Sequence, residues 1–316
     1  MKANEPASAA PLWRRRWLAI FGVVILIAAV AYLGIGAIVA DKYTLPLRQF
    51  YPENAAQLGV PYQDVRLPAR GDGVQIAGWY VPRAGATKAI IVVHGKDMSR
   101  ATEFFDTFPN GRLAEMSGRL QAGGFAVLMI DLRGHGQSGD ARFTFGQLER
   151  RDVIGATDWL KAQGFKPGSI GALGVSLGAA STVGAAADDT DIDAIVVDSG
   201  FAELRPVIDA NWNNATGLPN ALIPGAWLMT RLLYGIDMWA ARPVDEIGRI
   251  APRPVLLIHT ARDQMIASSH VDRMKAALPS AELWMAGGTA HARNYNADPA
   301  EYVRRVTAFF DKSLAR

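Results

Sequence analysis

The stretch Ile170-Gly-Ala-Leu-Gly174-Val-Ser176-Leu-Gly178-Ala-Ala180 places a serine between two glycines, where an apolar run gives way to small residues. This order predicts a β-strand, a sharp turn at Ser176 and an α-helix that starts directly after it. A turn this tight strains the backbone at the serine, and glycines on either side remove the Cβ atoms that would clash. The pattern therefore predicts a hydroxyl held over the end of a sheet. The alternative is a Gly/Ser-rich helix start without chemistry.

The segments around this turn alternate between strand and helix patterns. Several strand candidates are continuous apolar runs, which is typical of parallel strands buried on both faces. The predicted strands are Asp64–Leu67, Val74–Val81, Ala89–His94, Ala126–Ile130, Ile170–Gly174, Ala194–Asp198, Val255–His259 and Glu282–Met285. The predicted helices are Gly111–Ala122, Leu148–Gln163, Leu177–Ala187, Ser269–Leu278 and Ala300–Leu314. The alternation predicts an α/β fold with a doubly wound, mostly parallel eight-stranded sheet.

The N-terminus departs from the pattern of a soluble protein. Leu18 to Ala40 carries no charge and is long enough, at about 1.5 Å per residue, to cross a hydrocarbon core of about 30 Å. Arg14, Arg15 and Arg16 precede it, so the positive-inside rule predicts a cytoplasmic tail over residues 1–17 and an extracytoplasmic (periplasmic or extracellular) remainder. The alternatives are a signal peptide cleaved near Ala29-Val-Ala31 and a buried core helix.

Three further ranges complete the predicted organisation. Residues 41–62 are polar and punctuated by proline, and predict a stalk. Residues 63–316 form the predicted catalytic domain. Within it, residues 203–250 are far too long for an ordinary loop and rich in large apolar side chains, which predicts a helical, lid-like insertion. Ordinary packing against the sheet and contact with a membrane are the alternatives for this insertion.

Composition excludes several classes of function. The chain of 316 residues has a net charge of only +3 and no basic stripe interleaved with aromatics, so we expect no nucleic-acid partner. It has no cysteine, which excludes disulfides, Cys-ligated metals and a thiol nucleophile. The oligomeric state cannot be inferred from the sequence.

A serine needs a base within hydrogen-bond reach, and that base is a histidine oriented by a carboxylate. In sheets of this type the chain order is serine, acid, histidine. Asp263 follows the strand Val255–His259, and His291 follows the next strand, so both lie in the crevice at the carboxyl ends of the strands. Order and position together predict a catalytic triad of Ser176, Asp263 and His291.

These motifs resemble the α/β-hydrolase superfamily, in its esterase, lipase and serine-peptidase branch. The resemblance covers roughly residues 64–314 and rests on four motifs: His94-Gly95, Asp131-Leu-Arg-Gly-His-Gly-Gln-Ser138, the Gly174–Gly178 turn and the Asp263/His291 pair. The second motif shapes a turn in the family, which makes His135 structural by resemblance. A metal held by His94, Asp131 and His135 is the alternative, but the chain has no metal-binding spacing, and we expect neither metal nor cofactor.

The oxyanion of an acyl-transfer reaction needs backbone donors. One is the N–H of Leu177, after the nucleophile, and the resemblance points to Lys96 for the other, with Gly95 as the fallback. The acid loop departs from the family pattern, because Thr260 stands where glycine is usual and Ala267 where proline is usual. Some family members take their acid from the strand that here ends at Asp198, which is the second choice.

The predicted function is a membrane-anchored serine hydrolase that cleaves carboxylic esters through an acyl-enzyme. The anchor and the apolar insertion favour small-molecule or lipid-derived esters as substrates. The same triad also fits an amidase, a peptidase or an acyltransferase. A binding protein that kept the fold without catalysis is the alternative of another class.

Overall fold

The computed structural model describes residues 12–48, 59–102 and 112–315. Within them, eight strands form one sheet: β1 (Gln63–Pro68), β2 (Gln75–Val81), β3 (Ala89–Val93), β4 (Ala126–Ile130), β5 (Ile170–Val175), β6 (Ala194–Asp198), β7 (Val255–His259) and β8 (Glu282–Met285). The strands follow the order β1-β2-β4-β3-β5-β6-β7-β8. The first two pairings, β1 with β2 and β2 with β4, are antiparallel, and the others are parallel. The predicted mostly parallel eight-stranded sheet is confirmed.

Helices cover both faces of this sheet. They are α1 (Leu12–Thr44), α2 (Arg112–Ala122), α3 (Arg150–Ala162), α4 (Leu177–Asp188), α5 (Leu204–Thr216), α6 (Ile223–Tyr234), α7 (Pro243–Glu246), α8 (Ser269–Ala277), α9 (Asn294–Ala297) and α10 (Pro299–Ser313). Short 3-10 turns lie at Asn220–Leu222, Met238–Ala240 and Ile247–Ile250. Strands β3 to β7 are buried along their whole length, because their side chains pack against helices on both faces.

Helix α1 is the long apolar helix expected from the sequence. It is the one helix in the described ranges with the length and hydropathy to cross a membrane, a test that a signal sequence also passes. Residues 12–31 are exposed, whereas the second half of α1 packs against α6. Gly36 lies against Gly225 so closely that a Cβ atom on Gly36 would come within 2.7 Å of the Gly225 carbonyl. The Tyr32 hydroxyl donates to the Ala221 carbonyl (2.9 Å) and accepts from the Gly225 N–H (3.0 Å).

The N-terminal boundaries differ from those expected. The helix begins at Leu12, inside the predicted tail, and continues to Thr44, beyond the predicted end of the span at Ala40. The residues that follow lie on the domain rather than in a free stalk. Phe143 N–H donates to the Thr44 carbonyl (3.0 Å), and the Arg48 guanidinium donates to the Ser138 carbonyl (2.8 Å). Contacts with distant residues extend the helix, and local composition does not encode them. Three parts of the predicted organisation lie outside the described residues: residues 49–58 of the stalk, residues 1–11 of the tail, and Gly111 of the predicted helix Gly111–Ala122.

The insertion at residues 203–250 is helical, as expected. It contains α5, α6, α7 and the three 3-10 turns. Asn211 of α5 donates to the Met265 carbonyl (2.9 Å), which ties the insertion to the loop that carries Asp263. Whether the insertion moves as a lid stays a prediction.

Candidate active site

The backbone at Ser176 has the strained conformation expected of a sharp turn. Its φ is +54°, a backbone conformation that residues other than glycine rarely adopt, and α4 begins at the next residue. There is no room for a side chain at either flanking glycine. A Cβ atom on Gly174 would lie 2.2 Å from the Gly178 carbonyl oxygen, and a Cβ atom on Gly178 would lie 2.4 Å from the Val93 carbonyl oxygen. The turn therefore holds the Ser176 hydroxyl at the carboxyl end of the sheet.

Three side chains from separate loops meet at this turn. His291 Nε2 lies 2.9 Å from Ser176 Oγ, and His291 Nδ1 lies 2.7 Å from Asp263 Oδ2. In the tautomer that satisfies both contacts, Nδ1–H donates to the carboxylate and Nε2 accepts the serine proton. The structure thus brings together Ser176, Asp263 and His291 with the hydrogen bonds that base-assisted attack by a serine requires.

The Asp263 carboxylate is held in place from both of its oxygens. Oδ1 accepts the backbone N–H groups of Met265 (2.9 Å) and Ile266 (2.8 Å), while Oδ2 faces His291. Burial raises the pKa of this carboxyl, but the hydrogen bond from His291 and those from the backbone outweigh burial and lower the pKa overall. Asp263 is therefore ionised at neutral pH and oriented toward the histidine.

Asp198, the second choice for the acid, has other partners. Its Oδ1 accepts from Asn294 (2.6 Å) and Ser199 (2.9 Å), and its Oδ2 accepts from the Tyr302 hydroxyl (2.8 Å). Burial raises its pKa, although these three hydrogen bonds oppose the shift. Asp198 thus joins β6 to α9 and α10, and the geometry favours Asp263 as the partner of His291.

Sequence reasoning gave His259 no role, and the structure places it beside Asp263. His259 is fully buried at the end of β7, and its Nε2 lies 2.9 Å from the Ile266 carbonyl oxygen and 3.9 Å from Asp263 Oδ2. An Nε2–H that donates to Ile266 fastens the loop that presents Asp263. No sequence pattern marks this contact, since the histidine looks like an ordinary strand end.

The Asp131–Ser138 motif forms a rigid turn behind the site. Asp131 accepts from the backbone N–H groups of Arg100 (2.7 Å) and Gln137 (2.8 Å), and a Cβ atom on Gly136 would lie 2.1 Å from the Asp131 carboxylate. The ring of His135 lies edge-on to that of His94 with centroids 5.1 Å apart. The contacts within this turn account for the residues of the motif without a catalytic role.

His135 in this turn and the neighbouring His94 after β3 are not arranged as metal ligands. His94 Nδ1 lies 2.6 Å from the Gly95 carbonyl, and its Nε2 accepts the Leu132 N–H (3.0 Å), so the lone pair is occupied. Burial lowers the pKa of His94 to about 4 and that of His135 to about 3. Among residues 12–48, 59–102 and 112–315, no cluster of three or more His, Asp or Glu side chains is placed to hold a metal ion.

A cavity of about 380 Å³ opens at Ser176. Leu177 and Lys96, the predicted oxyanion donors, both line it beside the serine, although their role stays a prediction. The wall is predominantly apolar, with contributions from Phe145, Phe201, Leu204, Val207, Ile208, Trp212 and Ile266. Lys42 and Tyr43 at the end of α1 also line it, which the sequence could not reveal because these residues and α5 are far apart along the chain.

Comparison with known proteins gives the same fold and related chemistry. Residues 84–229 match the model of the X-Pro dipeptidyl-peptidase (S15 family). The chain is similar to YqkD of Bacillus subtilis (strain 168), with 28% identity over 247 residues that cover 76% of either chain. It is also similar to the Pyrococcus furiosus esterase Pf2001, with a TM-score of 0.70 and 25% identity over 86% of this chain and 99% of that one.

The chain belongs to the α/β-hydrolase superfamily. A puromycin-hydrolysing peptidase of Mycobacterium tuberculosis shares the fold, with a TM-score of 0.62 at 19% identity over 83% of this chain and 40% of that one. The S15 model spans less than half of the chain. Within the superfamily, the comparisons therefore support a hydrolase of the esterase or peptidase type and no narrower class.

Proposed function

We propose that the protein is a serine hydrolase that cleaves carboxylic esters. The observation that carries the proposal is the hydrogen-bonded series Asp263–His291–Ser176 at the mouth of an apolar cavity. Ser176 Oγ attacks the ester carbonyl while His291 Nε2 takes its proton, and Asp263 stabilises the imidazolium. The backbone N–H groups of Leu177 and Lys96 hold the oxyanion. His291 then protonates the leaving alcohol, and water releases the acid from Ser176.

The lining of the cavity favours esters over the substrates of a dipeptidyl-peptidase. An enzyme that binds a free N-terminal ammonium needs carboxylates near the scissile bond to pair with it. Among the described residues that line the cavity, the charged side chains are Lys42 and Lys96, and none is acidic. This charge pattern suits a neutral or anionic acyl group. An amide substrate without a free ammonium group uses the same chemistry and is an outcome of the test below.

The test is covalent labelling of the full-length protein with a fluorophosphonate probe. We expect mass spectrometry to find the adduct on Ser176, and Ser176→Ala and His291→Ala to abolish both the adduct and hydrolysis of p-nitrophenyl butyrate. Ser280→Ala, at an exposed position, is the matched control and should behave as the parent protein. Hydrolysis that persists in a folded Ser176→Ala variant would overturn the proposal. A folded parent protein without adduct would favour a binding protein.

We also propose that α1 anchors the protein in a membrane with the hydrolase domain outside the cytoplasm. Since the chain contains no cysteine, Ser280→Cys introduces a single thiol on the domain. A membrane-impermeant maleimide should label it in intact cells, whereas Ser8→Cys in the N-terminal tail should react only after permeabilisation. The reverse pattern would refute this orientation, and a soluble, processed chain would show that α1 is a cleaved signal.

A further inference from the structure

The cavity at Ser176 continues along one face of α5. The α5 side chains in its wall recur at spacings of three and four residues, which places them on one side of the helix. They are Leu204, Val207, Ile208, Asn211, Trp212 and Ala215. From the first to the last of these, the helix rises by about 16 Å. The cavity is thus an elongated apolar groove that leads away from the nucleophile.

Helix α1 forms the other wall at the far end of this groove. The Tyr43 ring stacks on the Trp212 ring with centroids 6.2 Å apart, and the buried Val39 packs in the same cluster. Lys42 and Tyr43 both line the cavity. The apolar helix is therefore part of the substrate site as well as an N-terminal extension.

The contacts between α1 and α6 fix the level of the groove relative to a bilayer. The two helices run side by side in the same direction. The Tyr32 hydroxyl contacts Ala221, just before α6, and Gly225 in its first turn, while Asp41 accepts from Tyr234 at the end of α6 (3.0 Å). About 20 residues are needed to cross a hydrocarbon core of about 30 Å. Counted from Trp17 at one interface, these 20 residues end near the Gly36 contact with α6, inside the outer part of the predicted span Leu18–Ala40. The start of α6 therefore lies at the bilayer surface.

The far end of the groove lies about 10 Å beyond this level, because Tyr43, which stacks on Trp212, follows Gly36 by seven residues on α1. Helix α5 ends at Thr216, and the short connection to α6 passes the Tyr32 contact. Residues 210–230, which include this connection, carry no charged side chain, and Leu228 of α6 is 40% exposed. An uncharged surface with exposed leucine beside an apolar helix suits contact with the acyl region of a membrane.

We infer that the substrate is an amphiphilic ester of a medium- or long-chain acid that is taken from the bilayer. Its acyl chain lies in the groove between α5 and the end of α1, and its carbonyl reaches Ser176. This inference rests on the proposed ester hydrolysis and on the proposed membrane anchor, and it adds the substrate class and the route of entry.

The first test narrows the groove at its far end without touching the catalytic side chains. Ala215→Trp should lower kcat/KM for p-nitrophenyl laurate about tenfold or more relative to kcat/KM for p-nitrophenyl butyrate, because several methylenes of the longer acyl chain lose their burial. Asn214→Trp, one residue along the helix and outside the cavity wall, is the matched control and should change neither rate. Equal effects of the two variants on laurate would overturn the inference, while Ser176-dependent butyrate hydrolysis would still uphold the proposed function.

The second test concerns entry from the bilayer. In the full chain reconstituted in phosphatidylcholine vesicles, Leu228→Glu should reduce hydrolysis of a laurate ester dissolved in the bilayer several-fold and spare butyrate supplied in water. Leu283→Glu, at an exposed leucine on the edge strand β8, should spare both. If Leu228→Glu leaves bilayer hydrolysis unchanged, entry at this face is wrong. Absence of Ser176-dependent hydrolysis of either ester would instead remove the proposed function.

Discussion

At the scale of single residues, two buried carboxylates at the ends of neighbouring strands, Asp198 at the end of β6 and Asp263 after β7, have different hydrogen-bond partners. Asp263 uses one oxygen for the backbone and the other for His291, whereas both oxygens of Asp198 accept from structural donors. The same kind of side chain can thus orient a base in one case and join helices to the sheet in the other. Substitution by asparagine, which keeps the shape and removes the charge, separates these roles.

We predict that Asp263→Asn lowers kcat for ester hydrolysis by about 10⁴-fold with little loss of stability. The amide oxygen keeps the N–H groups of Met265 and Ile266, so the amide NH₂ turns toward His291 Nδ1. The imidazole then carries its proton on Nε2 and cannot accept one from Ser176. Steady-state kinetics and thermal unfolding of the purified variant measure the two effects.

Asp198→Asn is the control for this prediction and should show the opposite pattern. Its amide NH₂ would face a donor from Asn294, Ser199 or Tyr302, which leaves a buried group unpaired at a cost of about 1–3 kcal/mol. The melting temperature should fall, while the folded protein keeps most of its kcat. A large loss of kcat in Asp198→Asn with Asp263→Asn still active would transfer the role of the acid to Asp198.

The sequence was informative about these residues only where chemistry demands a local pattern. The strained turn at Ser176 needs its glycines nearby in the chain, and the order of acid and histidine follows from the strands that carry them. His259 and Tyr43 act through contacts with distant residues, which no local pattern records. The sequence could rank Asp263 above Asp198 as the acid that pairs with His291. Only the structure, in which His291 Nδ1 faces Asp263, distinguishes the two carboxylates.

At the scale of elements, the sheet was predictable and the end of α1 was not. Each predicted strand boundary lies within one residue of the observed one. For the buried strands β3 to β7 the reason is that both faces must be apolar, so the whole strand is an apolar run. Helix α1 continues to Thr44 because its second half meets α6, and the glycine contact that permits this lies between residues far apart in the chain. The short helix α9, which carries Asn294, was likewise not predicted, since four residues give no periodic signal.

We predict that Gly36→Leu loosens α1 from α6. The new side chain would begin 2.7 Å from the Gly225 backbone, so the helices must separate, at a cost of about 1–3 kcal/mol. Limited digestion with trypsin should then cleave faster after Lys42, and the melting temperature in detergent should fall. Gly34→Leu, on the same helix where an added Cβ meets nothing within 4 Å, is the matched control. Equal digestion of both variants would show that the packing of α1 does not depend on this contact.

At the scale of the whole molecule, the buried histidine pair predicts how stability depends on pH. The folded-state pKa values of His94 and His135 lie at about 4 and about 3, against 6.5 for an ordinary histidine. Between pH 6.5 and about pH 4, the unfolded chain therefore binds more protons than the folded one. Their contribution to stability is complete above pH 6.5 and decreases as the pH falls, by up to about 1.4 kcal/mol per pH unit for each histidine.

His135→Asn isolates this contribution, because the asparagine does not titrate and the carboxyl groups that also titrate are common to both proteins. The variant loses some stability at neutral pH, where the histidine packs against His94 and Phe143. Its free energy of unfolding should nevertheless fall less between about pH 6 and pH 5 than that of the parent, by about 1.2 kcal/mol over this interval. Chemical unfolding in detergent at the two pH values measures the difference. If the free energy of unfolding of the two proteins depends on pH in the same way, the buried histidines take up protons in the folded state. Groups other than this pair would then cause the loss of stability at low pH.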